Sequence, residues 1–317
     1  MPAASARCFV AAAALALACA VGAAQAQTGP RTPSQVTLPD GRQMSYICAG
    51  DGPITVVIDT GIGLPMWSWN QVLDGLRTFA RACAYDRAGY PGSSAGPMPR
   101  DADHAVADLR AMLLAAGLPA PYVLVGETVG GFNVRLYADR YPHDVAGLVL
   151  VDPGFADEPK ALAKASPALA KALADEGRVQ QLCLGALIKG KVWADNDPTY
   201  ADCGPAPRGD AVSRAKAILS EETSFNTSAG EAARAHHGRP DLPVIVLTSE
   251  RTREDPPGMT PAERAAVLQV AVAGHQAIAA GYARGLQRTV TGSAEVMQVD
   301  RPAAVIAAVR EVIGQLR

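Results

Sequence analysis

Five short apolar runs, at 54–58, 82–85, 122–125, 147–151 and 244–248, lack the polar alternation of a half-solvated strand. A strand can be apolar at nearly every position only when both its faces are covered. Helical stretches lie at 69–81, 103–116, 132–141 and 302–316, before, between and after these runs. The alternation predicts an α/β fold, a doubly wound and mostly parallel sheet flanked by helices.

About ninety residues separate the fourth run from the fifth, far more than an ordinary connection between a helix and a strand. This segment is rich in Ala and charge, periodic at 158–178 and 209–222, and loop-like at 195–208. We expect a helical cap over the carboxyl edge of the sheet, roofing a pocket and selecting its substrate. The expected organisation is a core in two parts, 27–154 and 242–317, interrupted by the cap at 155–241.

Residues 1–26 combine Arg7, an apolar stretch at 8–21 and the small-residue site Ala24-Gln25-Ala26, the pattern of a cleaved secretory signal. The apolar stretch is short for a membrane span of about 20 residues, so export to the periplasm or beyond is favoured over anchoring. Ala16 and Leu17 make a poor context for lipid attachment at Cys19. Cleavage leaves Cys48, Cys83, Cys183 and Cys203, an even number in an oxidising compartment. Three pairings are open. Cys183 and Cys203 share one irregular stretch, which favours a bridge between them, and Cys48 with Cys83 would follow; four buried thiols are the alternative. The formal charge of −2, without a Lys/Arg cluster, lacks the footprint of a nucleic-acid or acidic-membrane binder. The expected partner is a neutral small molecule, with no integral membrane segment after cleavage. No His/Cys spacing suggests a metal, and no cofactor is expected. Oligomeric state is left open.

The run at 122–125 leads into Gly126-Glu127-Thr128-Val129-Gly130-Gly131, and a helical stretch follows directly. This resembles the nucleophile elbow of the α/β-hydrolase family, whose pattern is G-x-S-x-G. Four further tracts resemble the family in order: VIDTGIG at 57–63, CAYDRAGYPG at 83–92, RYPHDVAGLVLVDP at 140–153 and QVDRP at 298–302. The resemblance implies Thr128 at the nucleophile position and an oxyanion hole from the N–H groups of Val129 and Ile62. At the usual acid position the chain reads Ser249-Glu250-Arg251-Thr252. Thr252 cannot serve there, and Asp152 matches the alternative acid position one strand earlier. Glu295 occupies the slot of the family's histidine, in Gly292-Ser293-Ala294-Glu295.

Two departures from the family follow. Thr keeps a hydroxyl, but a β-branched residue is strained in an elbow. A carboxylate cannot donate a proton to the acid while accepting one from the nucleophile, as imidazole does. If Glu295 and Asp152 approach each other, their like charges should raise one pKa.

Of the five histidines, His275 is the best substitute base, although a packing or surface role is favoured even for it. His236 and His237 lie at the end of the cap segment, and His143 reads as a solvated turn residue. Met66, Trp67 and Phe132 flank the oxyanion loop and the elbow and are candidates to line an apolar pocket, with Trp193 and Tyr200 as roof residues. Core packing is the alternative, favoured for Trp69. Glu127 receives no separate role. The expected activity is hydrolysis of a small, largely apolar ester or lactone. The rivals are a lyase or dehydratase using Glu295 as acid/base, and a ligand-binding protein that has lost its chemistry.

Overall fold

The computed structural model describes residues 31–234, 240–251 and 255–316. The expected leader at 1–26, His236, His237 and Thr252 lie outside the described residues. Eight strands form one sheet in the order β1-β2-β4-β3-β5-β6-β7-β8. They are β1 (Ser34–Thr37), β2 (Gln43–Ala49), β3 (Thr55–Asp59), β4 (Arg81–Asp86), β5 (Tyr122–Glu127), β6 (Val145–Val151), β7 (Pro243–Ser249) and β8 (Arg284–Val290). β1 and β2 pair antiparallel with each other, and β2 with β4. Every pairing from β4 through β8 is parallel. The five apolar runs are therefore the buried heart of the sheet: β3, β5 and β7 are buried at every position.

Helices cover both faces. Against one lie α1 (Asn70–Leu76) and the C-terminal α10 (Pro302–Gly314), preceded by the short α9 (Met297–Asp300). Against the other lie α2 (Ala102–Ala115), α3 (Val129–Arg140) and α8 (Pro261–Ala280). α1 is shorter than the predicted 69–81 stretch, because Arg81 already belongs to β4.

Between β6 and β7 the chain forms α4 (Glu158–Ala165), α5 (Pro167–Ile188), α6 (Asp210–Thr223) and α7 (Phe225–Arg234). A 3-10 turn at Pro198–Cys203 occupies the stretch read as a loop. Disulfides join Cys183 to Cys203 and Cys48 to Cys83. The latter pair lies in direct register across β2 and β4. The inserted helices also complete the core: Ser220 Oγ accepts from the Arg100 N–H at 2.9 Å and Ser228 Oγ from the Ala102 N–H at 3.0 Å. Helix α2 thus has its N-terminal segment capped in part by α6 and α7, as its otherwise unpaired amides require.

β3 pairs with β4 on one side and β5 on the other, so the chain leaves β3 in one direction and later returns in the other. In open parallel sheets the crevice for a ligand forms beyond the carboxyl ends of strands at such a switch. The loop expected to hold the oxyanion follows β3 and the expected elbow follows β5.

Candidate active site

Thr128 stands between the last residue of β5 and the first of α3, with φ 50° and ψ −110°. This is left-handed space, where a β-branched residue is an outlier. Glycines permit the turn by close approach. A methyl group at Gly126 would lie 2.4 Å from the Gly130 carbonyl oxygen, and one at Gly130 would lie 2.3 Å from that of Asp59. The second contact brings the elbow against the end of β3. The Thr128 carbonyl accepts from the Gly131 and Gly154 N–H groups, both at 3.1 Å.

Asp152 follows β6 and also has a positive φ, 44°, which Asp tolerates better than most residues. Its Oδ1 accepts from the Ser249 N–H at 3.0 Å. Burial, reinforced by the charge of Glu295, raises its pKa to about 7. Glu127, the last residue of β5, is buried as well. Its Oε2 accepts from the Gly61 N–H at 2.9 Å and from Gln298 Nε2 at 3.0 Å, joining the oxyanion loop to α9. Burial raises its pKa to about 7 too, with smaller additions from the charges of Glu295 and Asp152. Glu295, between β8 and α9, is solvent-exposed. It is near enough for its charge to act on both buried carboxyls, but the dominant cause in each case is desolvation.

The N–H of Val129 opens α3, and the N–H of Ile62 lies between two engaged neighbours. Gly61 N–H goes to Glu127, and Gly63 N–H donates to the Tyr90 hydroxyl at 2.8 Å. Neither the Ile62 nor the Val129 N–H donates to an acceptor among the described residues. Two free backbone donors, one of them on the residue that follows the half-buried Thr128, can stabilise negative charge developing on an oxygen.

Other candidates go elsewhere. Met66 is buried in the core beneath α1 and α10, and Phe132 is buried against Phe225 with ring centroids 5.1 Å apart. Both pack the interior because each lies on the covered face of its element. Trp193 stacks on Tyr200 inside a cluster made by the inserted segment itself, and its Nε1 donates to the Gly204 carbonyl at 3.1 Å. Trp67 is 48% exposed. His275 is no base. Its Nε2 lies 2.8 Å from the Pro153 carbonyl and its Nδ1 2.8 Å from Thr248 Oγ1. The carbonyl can only accept, so Nε2 carries the proton and the Thr248 hydroxyl donates to Nδ1. Burial lowers the His275 pKa to about 4 and keeps the ring neutral. Among the described residues, no group of three or more His, Cys, Asp or Glu could hold a metal ion, and no helix is long and apolar enough to cross a membrane.

Residues 54–273 match the sequence profile of the alpha/beta hydrolase fold. The chain belongs to the α/β-hydrolase family. Within that family it is 34% identical over 219 residues to the pimeloyl-[acyl-carrier protein] methyl ester esterase of Chromobacterium violaceum, covering 66% of this chain and 80% of that one. It is 32% identical over 108 residues to the uncharacterized protein YqjL of Bacillus subtilis, a match covering 34% of this chain and 43% of that one. A match to the (lyso)-N-acylphosphatidylethanolamine lipase of Bos taurus, 33% identical, covers 38% of this chain and 37% of that one. Several relatives are thus matched over less than half their length. Among solved structures, a thermophilic esterase from Thermogutta terrifontis shares the α/β-hydrolase fold at TM-score 0.56 and 18% identity, over 90% of this chain and 99% of that one. A haloalkane dehalogenase variant from Bradyrhizobium elkanii does so at TM-score 0.63 and 15% identity, over 90% and 97%.

Sequence reasoning gave no role to two buried residues that touch this candidate site. One is Glu127, whose position just before the elbow residue was a signal that it faces the site. The other is Arg87, in the tract at 83–92, which is 2% exposed and touches both the oxyanion loop and α6.

Proposed function

We propose that this chain is an exported hydrolase of small, largely apolar esters or lactones, with Thr128 as nucleophile. Glu295 takes the hydroxyl proton, Asp152 supports the charge balance, and the Ile62 and Val129 N–H groups bind the oxyanion. The observation that carries this reading is the conformation of Thr128. Holding a non-glycine residue in left-handed space costs about 1–3 kcal/mol, and such strain persists where the surrounding structure enforces it, commonly at a functional site. Of the two other described non-glycine residues with positive φ, Asp152 and Asp157, Asp152 at the end of β6 supports the same location. The ester-cleaving relative from Chromobacterium violaceum supports the substrate class, and two disulfides fit an exported protein.

The test is nitrophenyl acetate turnover with fluorophosphonate labelling, on wild type and on Thr128→Ala. Loss of both signals in the variant is the expected result, and identical traces would refute the nucleophile role. Replacing Thr128→Ser together with Glu295→His should raise turnover, since imidazole is about two pKa units more basic than a glutamate.

One observation favours a second reading. Two buried carboxyls with pKa raised to about 7, Glu127 and Asp152, are each about half protonated at neutral pH and would assist an elimination in which Glu295 is the acid/base. A lyase of this kind would keep its activity in Thr128→Ala and lose it in Glu295→Gln.

A further inference from the structure

The oxyanion loop is gripped from the inserted helices, and one side chain transmits the grip. Arg87 sits beyond β4 and donates through Nη1 to the Thr60 carbonyl and to Asp59 Oδ1, the latter at 2.7 Å. Its Nη2 donates to the Gly61 carbonyl at 3.1 Å. On its other side it meets Glu221 of α6 in a two-pronged pair, Nε to Oε1 at 2.7 Å and Nη2 to Oε2 at 2.8 Å. Glu221 Oε2 also accepts from the Tyr90 hydroxyl at 2.7 Å, and that hydroxyl in turn accepts from the Gly63 N–H. From the same helix, Arg214 Nη2 donates to the Gly63 carbonyl at 2.9 Å.

We propose that Glu221 is a positioning residue: by holding Arg87 against the Gly61 carbonyl, it aims the Ile62 N–H at the reacting oxygen. The inference rests on the reading of Ile62 as an oxyanion donor. In a trans peptide the carbonyl of one residue and the N–H of the next point to opposite sides of a single plane. The Thr60–Gly61 unit is fixed at both ends, its carbonyl by Arg87 and its N–H by Glu127. The Gly61–Ile62 unit is held at its carbonyl, most closely by Arg87 at 3.1 Å and at 3.4 Å by the Leu64 N–H and the Thr60 hydroxyl, so the Ile62 N–H faces away from Arg87. Glycine at 61 leaves this plane free to rotate unless the carbonyl is held. A guanidinium fork can span two carbonyls and a carboxylate at once, whereas a lysine ammonium cannot keep that planar geometry. The donor is therefore in place only while α6 is seated against Arg87 and the oxyanion loop.

The test compares Glu221→Ala and Arg87→Lys with wild type by amide hydrogen exchange and by nitrophenyl acetate kinetics. Exchange in the 58–65 segment should rise about tenfold while that of β8 stays unchanged, the mark of local opening. kcat should fall roughly 10- to 100-fold with KM within about twofold, as for a weakened oxyanion donor. Unchanged exchange at 58–65 in a folded variant overturns the inference, and so does a loss carried by KM. If Glu221→Ala does not fold, Glu221→Gln keeps the shape and removes the charge, and should move both readouts in the same direction. If wild type turns over no ester, the proposed function fails while the exchange comparison still decides the positioning claim.

Discussion

Thr128 shows how one residue can oppose local preference. Its left-handed backbone and branched side chain conflict, and the conflict is held by Gly126 and Gly130, which admit the backbone contacts of the elbow, and by two bonds to its carbonyl. Thr128→Gly should therefore raise unfolding free energy by about 1 kcal/mol in urea titrations, because glycine adopts this conformation without strain. The same variant should abolish ester turnover; a variant less stable than wild type would mean that the threonine is not strained. The elbow was legible in the residues themselves, since G-x-T-x-G after an apolar run and before a helical one has few other uses. The fate of His275 was not legible. Both of its ring nitrogens are bonded to groups from other elements, Thr248 of β7 and the Pro153 carbonyl after β6, and local sequence carries no signal for such partners.

At the level of elements, strands with both faces covered announce themselves and edge strands do not. β8 reads Arg-Gly-Leu-Gln-Arg-Thr-Val and is largely exposed, and β1 is short and exposed at three of its four residues. Neither has the continuous apolar signature of β5 or β7, because one face or one edge meets water. Helix α8 begins with a reciprocal cap: Thr260 Oγ1 accepts from the Glu263 N–H at 3.2 Å, and Glu263 Oε2 accepts from the Thr260 N–H at 2.8 Å. The other carboxylate oxygen of Glu263 accepts from Ser166 Oγ at 3.0 Å, beside the start of α5. One residue thus ties an inserted helix to a core helix. Thr260→Ala should cost about 1 kcal/mol, the usual value of a lost N-cap, read as a lower urea midpoint with unchanged slope. Opening the Cys183–Cys203 bridge by the double change to Ala should destabilise by about 2–4 kcal/mol and raise hydrogen exchange in α5 and the 198–203 turn before that in the sheet.

Across the whole molecule, buried titrating groups should make stability depend on pH in two opposing ways. Glu127 and Asp152 have pKa values raised to about 7, so the folded chain binds more protons than the unfolded one between about pH 4 and 7, and stability falls as pH rises. His275, lowered to about 4, binds fewer protons when folded between about pH 4 and 6.5, and its contribution rises with pH. Glu127→Gln with Asp152→Asn should therefore leave stability increasing more steeply from pH 5 to 6.5, and His275→Gln should leave it decreasing more steeply. Urea unfolding at the two pH values checks both signs, and slopes equal to wild type in both variants would contradict the burial described above. By itself the sequence determined the inner strands, the elbow and the place of the insertion, because apolar periodicity and glycine spacing act locally and survive in any window of residues, whereas the order of those strands in the sheet came from the tertiary structure. Only the tertiary structure decided that Arg87 meets Glu221, 134 positions away, that Glu127 bridges Gly61 and Gln298, and that Met66 and Phe132 pack the interior. These contacts join residues of separate elements, and a contact between distant residues has no period or spacing for a sequence to display.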